Sequence, residues 1–84
     1  MTIDLAAFRR FELQGWEARA QAYTDHFTPV MERCIGPLLD AAGIRPGSRL
    51  LDVATGPGTV CGHARARGAL PIGLDFAPAM LEIA

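Results

Sequence analysis

Eighty-four residues, half of them apolar, are enough for one small domain. The formal charge is −1, with both signs spread along the chain and no basic run, so charge suggests no nucleic-acid partner. No stretch approaches the ~18 apolar residues of a membrane span, and residues 1–15 carry acids and lack the apolar core of a signal peptide; the expected compartment is the cytoplasm, with both cysteines reduced.

Residues 4–27 read as a first helix. Asp4 can cap it, and Ala6, Ala7 and Ala18 favour helix. Leu5, Phe8, Trp16, Ala20, Tyr23 and Phe27 recur at helical spacings and form one apolar stripe, expected to pack on the rest of the chain. Gly15 marks a bend or a break. Thr28-Pro29 reads as N-cap and first residue of a second helix. That helix carries Val30, Cys34, Ile35, Leu38 and Leu39 to Ala42, with a kink near Gly36-Pro37 and a stop at Gly43. The Pro-Gly turn within residues 44–48 delivers the chain into a strand.

Arg49 to Val53 is the first strand. Its apolar run, Leu50-Leu51 and Val53, suits a parallel strand buried on both faces. A turn of small residues, Ala54 to Gly58, leads into a helix that starts at Gly58 or Thr59, reaches Arg67 and is ended by Gly68. Pro71 to Leu74 is the second strand, and residues 75–84 begin the next crossover. The unit is β-α-β, with a right-handed crossover expected. A carboxylate closes each strand, Asp52 and Asp75. This is the layout of a site for a nucleoside with free ribose hydroxyls. Cys34 and Cys61 read as buried filler. Cys61 and His63 point to different faces of a helix at this spacing, so no metal site is expected. His26 and His63 read as surface or packing residues, and no catalytic residue is assigned.

The run Asp52-Val53-Ala54-Thr55-Gly56-Pro57-Gly58 and the later run from Asp75 through Met80-Leu81 to Ala84 resemble motif I and the downstream acidic element of class I S-adenosylmethionine-dependent methyltransferases. Ala54 replaces the first glycine of the family pattern, as in the branch similar to ubiquinone and menaquinone C-methyltransferases. Ala77 stands where the family usually has Ser, so a capping hydroxyl is missing and Pro78 must start the helix. The resemblance covers residues 49–84 well and residues 1–48 loosely.

The resemblance implies an α/β fold: the amino-terminal part of a Rossmann-like doubly wound parallel sheet, preceded by two helices. Residues 1–48 would be lid and packing helices, and residues 49–84 the start of an S-adenosylmethionine-binding domain. The implied cofactor residues are Asp52, Ala54, Thr55, Gly56, Gly58, Asp75, Phe76 and Met80, with Tyr23 from the lid. Asp75 would accept from the ribose hydroxyls, Asp52 would attract the ammonium group, and Phe76 and Met80 would flank the adenine. The implied reaction is methyl transfer to a small-molecule acceptor, whose selecting groups lie, in this family, beyond the fourth strand. The family fold has more strands than the two read here. The chain therefore reads as the cofactor half of an enzyme, inactive alone, with a bare sheet edge expected to aggregate or pair with another chain. The absence of Lys and the abundance of Ala, Gly and Pro suit a GC-rich bacterial coding sequence.

Two other readings compete. One is a non-catalytic truncated remnant, or a fragment that binds a partner. The other is a dinucleotide-binding oxidoreductase, whose fingerprint is Gly-x-Gly-x-x-Gly. Here Gly56 and Gly58 are followed by Cys61 at the third position, Pro57 removes an amide, and Asp52 would repel a diphosphate.

Overall fold

A computed structural model describes residues 2–84. Three helices, α1 (Leu5–Ala41), α2 (Thr59–Ala66) and α3 (Pro78–Ile83), accompany two parallel strands, β1 (Arg49–Val53) and β2 (Leu70–Leu74). The strands pair from Arg49 opposite Leu70 to Val53 opposite Leu74. The chain is thus mixed α/β, compatible with part of a Rossmann-like fold.

The two helices expected before β1 are one. α1 runs through Pro29 and Pro37 without interruption. Asp4 caps its start, accepting from the Ala7 N–H at 3.0 Å. Thr28 does not cap a second start: its hydroxyl is buried without a hydrogen-bond partner. Each proline removes one i→i−4 bond, and tertiary packing holds both halves in line. Ala20, with Leu13 and Tyr23 beside it, packs with Ala77 and Met80 at α3. Ile35 and Leu39 pack with Ala64 and Ala69 around α2. The expected apolar stripe is buried only where α3 meets it, since Leu5, Phe8 and Phe27 lie largely exposed.

Glycine ends both longer helices. The Ile44 N–H reaches the Leu39 carbonyl while the Gly43 N–H reaches that of Asp40, both at 3.0 Å. Ala69 and Gly68 repeat the pattern on Ala64 and Arg65. Positive φ at Gly43 (68°) and Gly68 (82°) makes these left-handed caps. Arg67, the residue that closes α2, ties it back to α1. Its guanidinium donates to Asp40 Oδ1 at 2.7 Å and to the Gly36 carbonyl at 3.1 Å.

The sheet is covered on one face only, contrary to the two-sided burial expected of β1. Leu50, Asp52, Pro71 and Gly73 lie half-buried on the face that α2 covers. On the other face Leu51, Val53, Leu70, Ile72 and Leu74 are 51–70% exposed. The cysteines also differ from expectation. Cys34 is exposed and Cys61 only half-buried, so neither is core filler. Among the described residues no helix is long and apolar enough to cross a membrane, and no three metal-ligating side chains cluster.

Candidate functional site

The carboxyl ends of β1 and β2 open onto the Ala54–Gly58 turn. This is where ligands sit in open α/β sheets. Ala54 adopts φ 61°, a left-handed conformation that a Cβ disfavours by about 1–2 kcal/mol, which accounts for the glycine that the resembled motif carries there. The Thr55 N–H donates to the Leu74 carbonyl at 2.8 Å, extending the strand pairing by one step. Gly58 donates back to the Thr55 carbonyl at 3.1 Å and closes the turn.

Asp75 holds this turn. Its Oδ2 accepts the Gly56 N–H at 2.8 Å, across nineteen residues of sequence. Its Oδ1 accepts the Ala77 N–H at 2.9 Å. The carboxylate therefore links the turn after β1 to the start of α3. Each oxygen keeps a lone pair for a further donor.

Behind the turn, Thr55 is wedged between β2 and α2. Its Oγ1 lies 3.5 Å from Cys61 Sγ. A Cβ on Gly73 would stand 2.7–2.9 Å from three atoms of the Thr55 side chain, so only glycine fits opposite it.

Around Asp75 the fold gathers a cavity of about 220 Å³, lined by Trp16, Tyr23, Ala54, Gly56, Asp75, Phe76 and Met80. This is below the ~300–1,000 Å³ of drug-sized ligand pockets, and nearer the size of a nucleoside. Of the residues singled out in the sequence, Ala54, Gly56, Asp75, Phe76, Met80 and Tyr23 share this wall, and Asp52, Thr55 and Gly58 do not. Asp52 is half-buried beneath the turn, in register with Gly73. Thr55 faces β2, and Gly58 starts α2 in a left-handed conformation.

Trp16, read from the sequence as a packing residue of the apolar stripe, joins the wall and meets Tyr23 edge-on, with ring centroids 5.3 Å apart. Sequence reasoning missed one contributor. Glu17, on the same turn of α1, replaces the missing capping hydroxyl of α3. Its Oε1 accepts the Ala79 N–H at 3.0 Å from 62 residues away. The sequence signal was an uncapped helix start at Ala77-Pro78, which needed an acceptor from elsewhere.

No family model matches the chain. An uncharacterized protein of Mycobacterium tuberculosis is 47% identical over 85 residues, which span 98% of this chain and 31% of that protein. An uncharacterized protein of Mycobacterium bovis matches to the same extent. A ubiquinone biosynthesis O-methyltransferase of Hahella chejuensis is 33% identical over 89 residues, covering 98% of this chain and 34% of the relative. The chain thus spans about a third of the length of the curated relatives it matches.

Proposed function

We propose that this chain forms the cofactor-binding part of an S-adenosylmethionine-dependent methyltransferase acting on a small-molecule acceptor. The observation that carries the reading is Asp75. Its carboxylate stands at the end of β2, on the wall of a cavity lined by aromatic and methionine side chains, and keeps acceptor capacity on both oxygens. Two vicinal ribose hydroxyls need such an acceptor. Likeness to a named O-methyltransferase along the whole chain supports the reading.

The residues present suit the group. Phe76, Met80 and Tyr23 offer flat and polarisable surfaces to a purine. The turn from Ala54 to Gly58 brings backbone close to the methionine part, with Gly56 on the cavity wall. Asp52, beneath the turn, contributes its charge toward the ammonium group. Bound S-adenosylmethionine supplies an electrophilic methyl already activated by its sulfonium centre. The protein's part is then to bind and orient.

The turn argues against a dinucleotide. Thr55, Gly56 and Gly58 already spend their amides on Leu74, Asp75 and Thr55, and Pro57 has none. A diphosphate approaching Gly56 would meet the Asp75 carboxylate. Thermal unfolding with S-adenosylhomocysteine and with NAD tests this. At a hundredfold excess over Kd the former is expected to stabilise the protein by ~2.7 kcal/mol, roughly 10–20 °C in midpoint, with no shift from NAD. Stabilisation by NAD alone would overturn the assignment.

A second reading, a non-catalytic chain that binds itself or a partner, draws on the bare sheet face. Five apolar side chains lie open there beside unpaired strand edges. Self-association is expected to accompany either reading. Sedimentation should show species heavier than a monomer, and Leu51→Glu with Ile72→Lys should shift them toward the monomer. A monomer at all concentrations would count against this contact.

A further inference from the structure

The two halves of α1 are held in different ways. The carboxyl-terminal half is anchored by a buried core, Ile35 and Leu39 on Ala64 and Ala69, and by the Arg67 guanidinium on Asp40 and the Gly36 carbonyl. The amino-terminal half, which carries Trp16 and Tyr23 to the cavity around Asp75, rests on α3. Among the described residues α3 in turn packs on α1 and on no other helix or strand. The aromatic wall is therefore only as fixed as this one contact.

The apolar part of the contact is small and non-directional. Ala20 meets Ala77 and Met80, and the two alanines bring only methyl groups to it, so one helix can turn or slide on the other. The directional part is one hydrogen bond, from the Ala79 N–H to Glu17 Oε1 at 3.0 Å. Two residues earlier the Ala77 N–H donates to Asp75 Oδ1 at 2.9 Å, and the other Asp75 oxygen accepts the Gly56 N–H. The start of α3 thus joins two carboxylates. Asp75 fixes it to the turn after β1, and Glu17 fixes it to α1. Glu17 itself is exposed and does not line the cavity.

We propose that Glu17 is a positioning residue of this site: its bond to the Ala79 N–H sets the placement of α1 on α3, and so holds Trp16 and Tyr23 in the wall they share with Asp75 and Met80. Apparent affinity for a ligand falls with the fraction of molecules whose wall is formed. That the ligand carries an adenosyl group rests on the methyl-transfer reading. The tether does not.

Trp16 is the only tryptophan in the chain, so quenching of its emission by acrylamide reports on the wall with no ligand present. Glu17→Ala should increase that quenching and weaken S-adenosylhomocysteine about three- to tenfold by calorimetry. Glu17→Gln, which keeps an acceptor oxygen, should recover most of both. Ala77→Ser separates tethering from capping, because a serine hydroxyl at the N-cap can accept the same Ala79 N–H from within the α3 segment. In Glu17→Ala combined with Ala77→Ser, any fall in thermal midpoint should be recovered while quenching and affinity stay altered. Recovery of all three would reduce Glu17 to a helix cap and overturn the proposal. Unchanged Trp16 quenching in Glu17→Ala, with its circular dichroism kept, would overturn it too, as would unchanged affinity in a chain that binds S-adenosylhomocysteine. Quenching that depends on Glu17, in a chain that does not bind S-adenosylhomocysteine, would keep the tether and remove the methyltransferase reading.

Discussion

Asp75→Ala is expected to lower affinity for S-adenosylhomocysteine by at least about a hundredfold. Two hydrogen bonds from ribose hydroxyls to a carboxylate contribute ~1.5–3 kcal/mol each, and 3 kcal/mol is already more than a hundredfold. The same substitution strips the acceptor from two backbone amides, those of Gly56 and Ala77. Gly56 and Ala77 are buried, so each orphaned N–H costs a further ~1–3 kcal/mol of stability. Asp75→Asn grades the two losses. Its one amide oxygen can serve a single N–H, while its NH₂ would face the other donor. An intermediate loss of both affinity and stability is expected. Calorimetry and thermal unfolding check it. Unchanged affinity in Asp75→Ala would remove this residue from any ligand site, and an unchanged midpoint would remove it as the clamp on the turn.

Gly73→Ala should have the second largest effect, although residue 73 is not on the cavity wall. The new methyl would lie 2.7 Å from Thr55 Cγ2, 2.8 Å from Oγ1 and 2.9 Å from Cβ. Overpacking of this kind costs about 1–3 kcal/mol. Thr55 has little room to yield, because its amide is bound to Leu74 and the next amide to Asp75. Displacing Thr55 therefore disturbs the turn, and a loss of tenfold or more in S-adenosylhomocysteine affinity is expected with the fall in stability. Thr55→Gly removes all three clashing atoms. In the Gly73→Ala background it should recover both properties, with a coupling of about 0.5–3 kcal/mol between the sites. Additive effects of the two substitutions would show that Gly73 acts through something other than Thr55.

The local signals in this chain were strong where short-range physics decides. Gly43 and Gly68 ended their helices because left-handed caps need them. The apolar run from Leu50 and the Gly-containing turn after Asp52 placed β1 and the turn at its carboxyl end, and β2 began only one residue earlier than expected. The position of Asp75 at a strand end was legible in the same way. Ala54 was legible, through the resembled pattern, as standing in a glycine's place, and the structure shows why glycine suits it by holding Ala54 at positive φ.

Where distant segments meet, the sequence was silent or misleading. Thr28-Pro29 carries a helix-start signal, yet α1 passes through it, because packing of Ala20 on α3 and of Ile35 and Leu39 around α2 outweighs two missing backbone bonds. Asp75 was legible as an acceptor but not as a clamp, since its partner Gly56 is nineteen residues away. The cap that Ala77 lacks comes from Glu17, and the glycine requirement at 73 comes from Thr55. The aromatic wall needs α1 laid beside α3 before Trp16 and Tyr23 can face Asp75 and Met80. Residue type and spacing determine what a segment can do by itself: turn, cap, pair or carry a charge. Which acceptor meets which donor, and which face is covered, depends on contacts between segments far apart in the chain, and only the tertiary structure decides those.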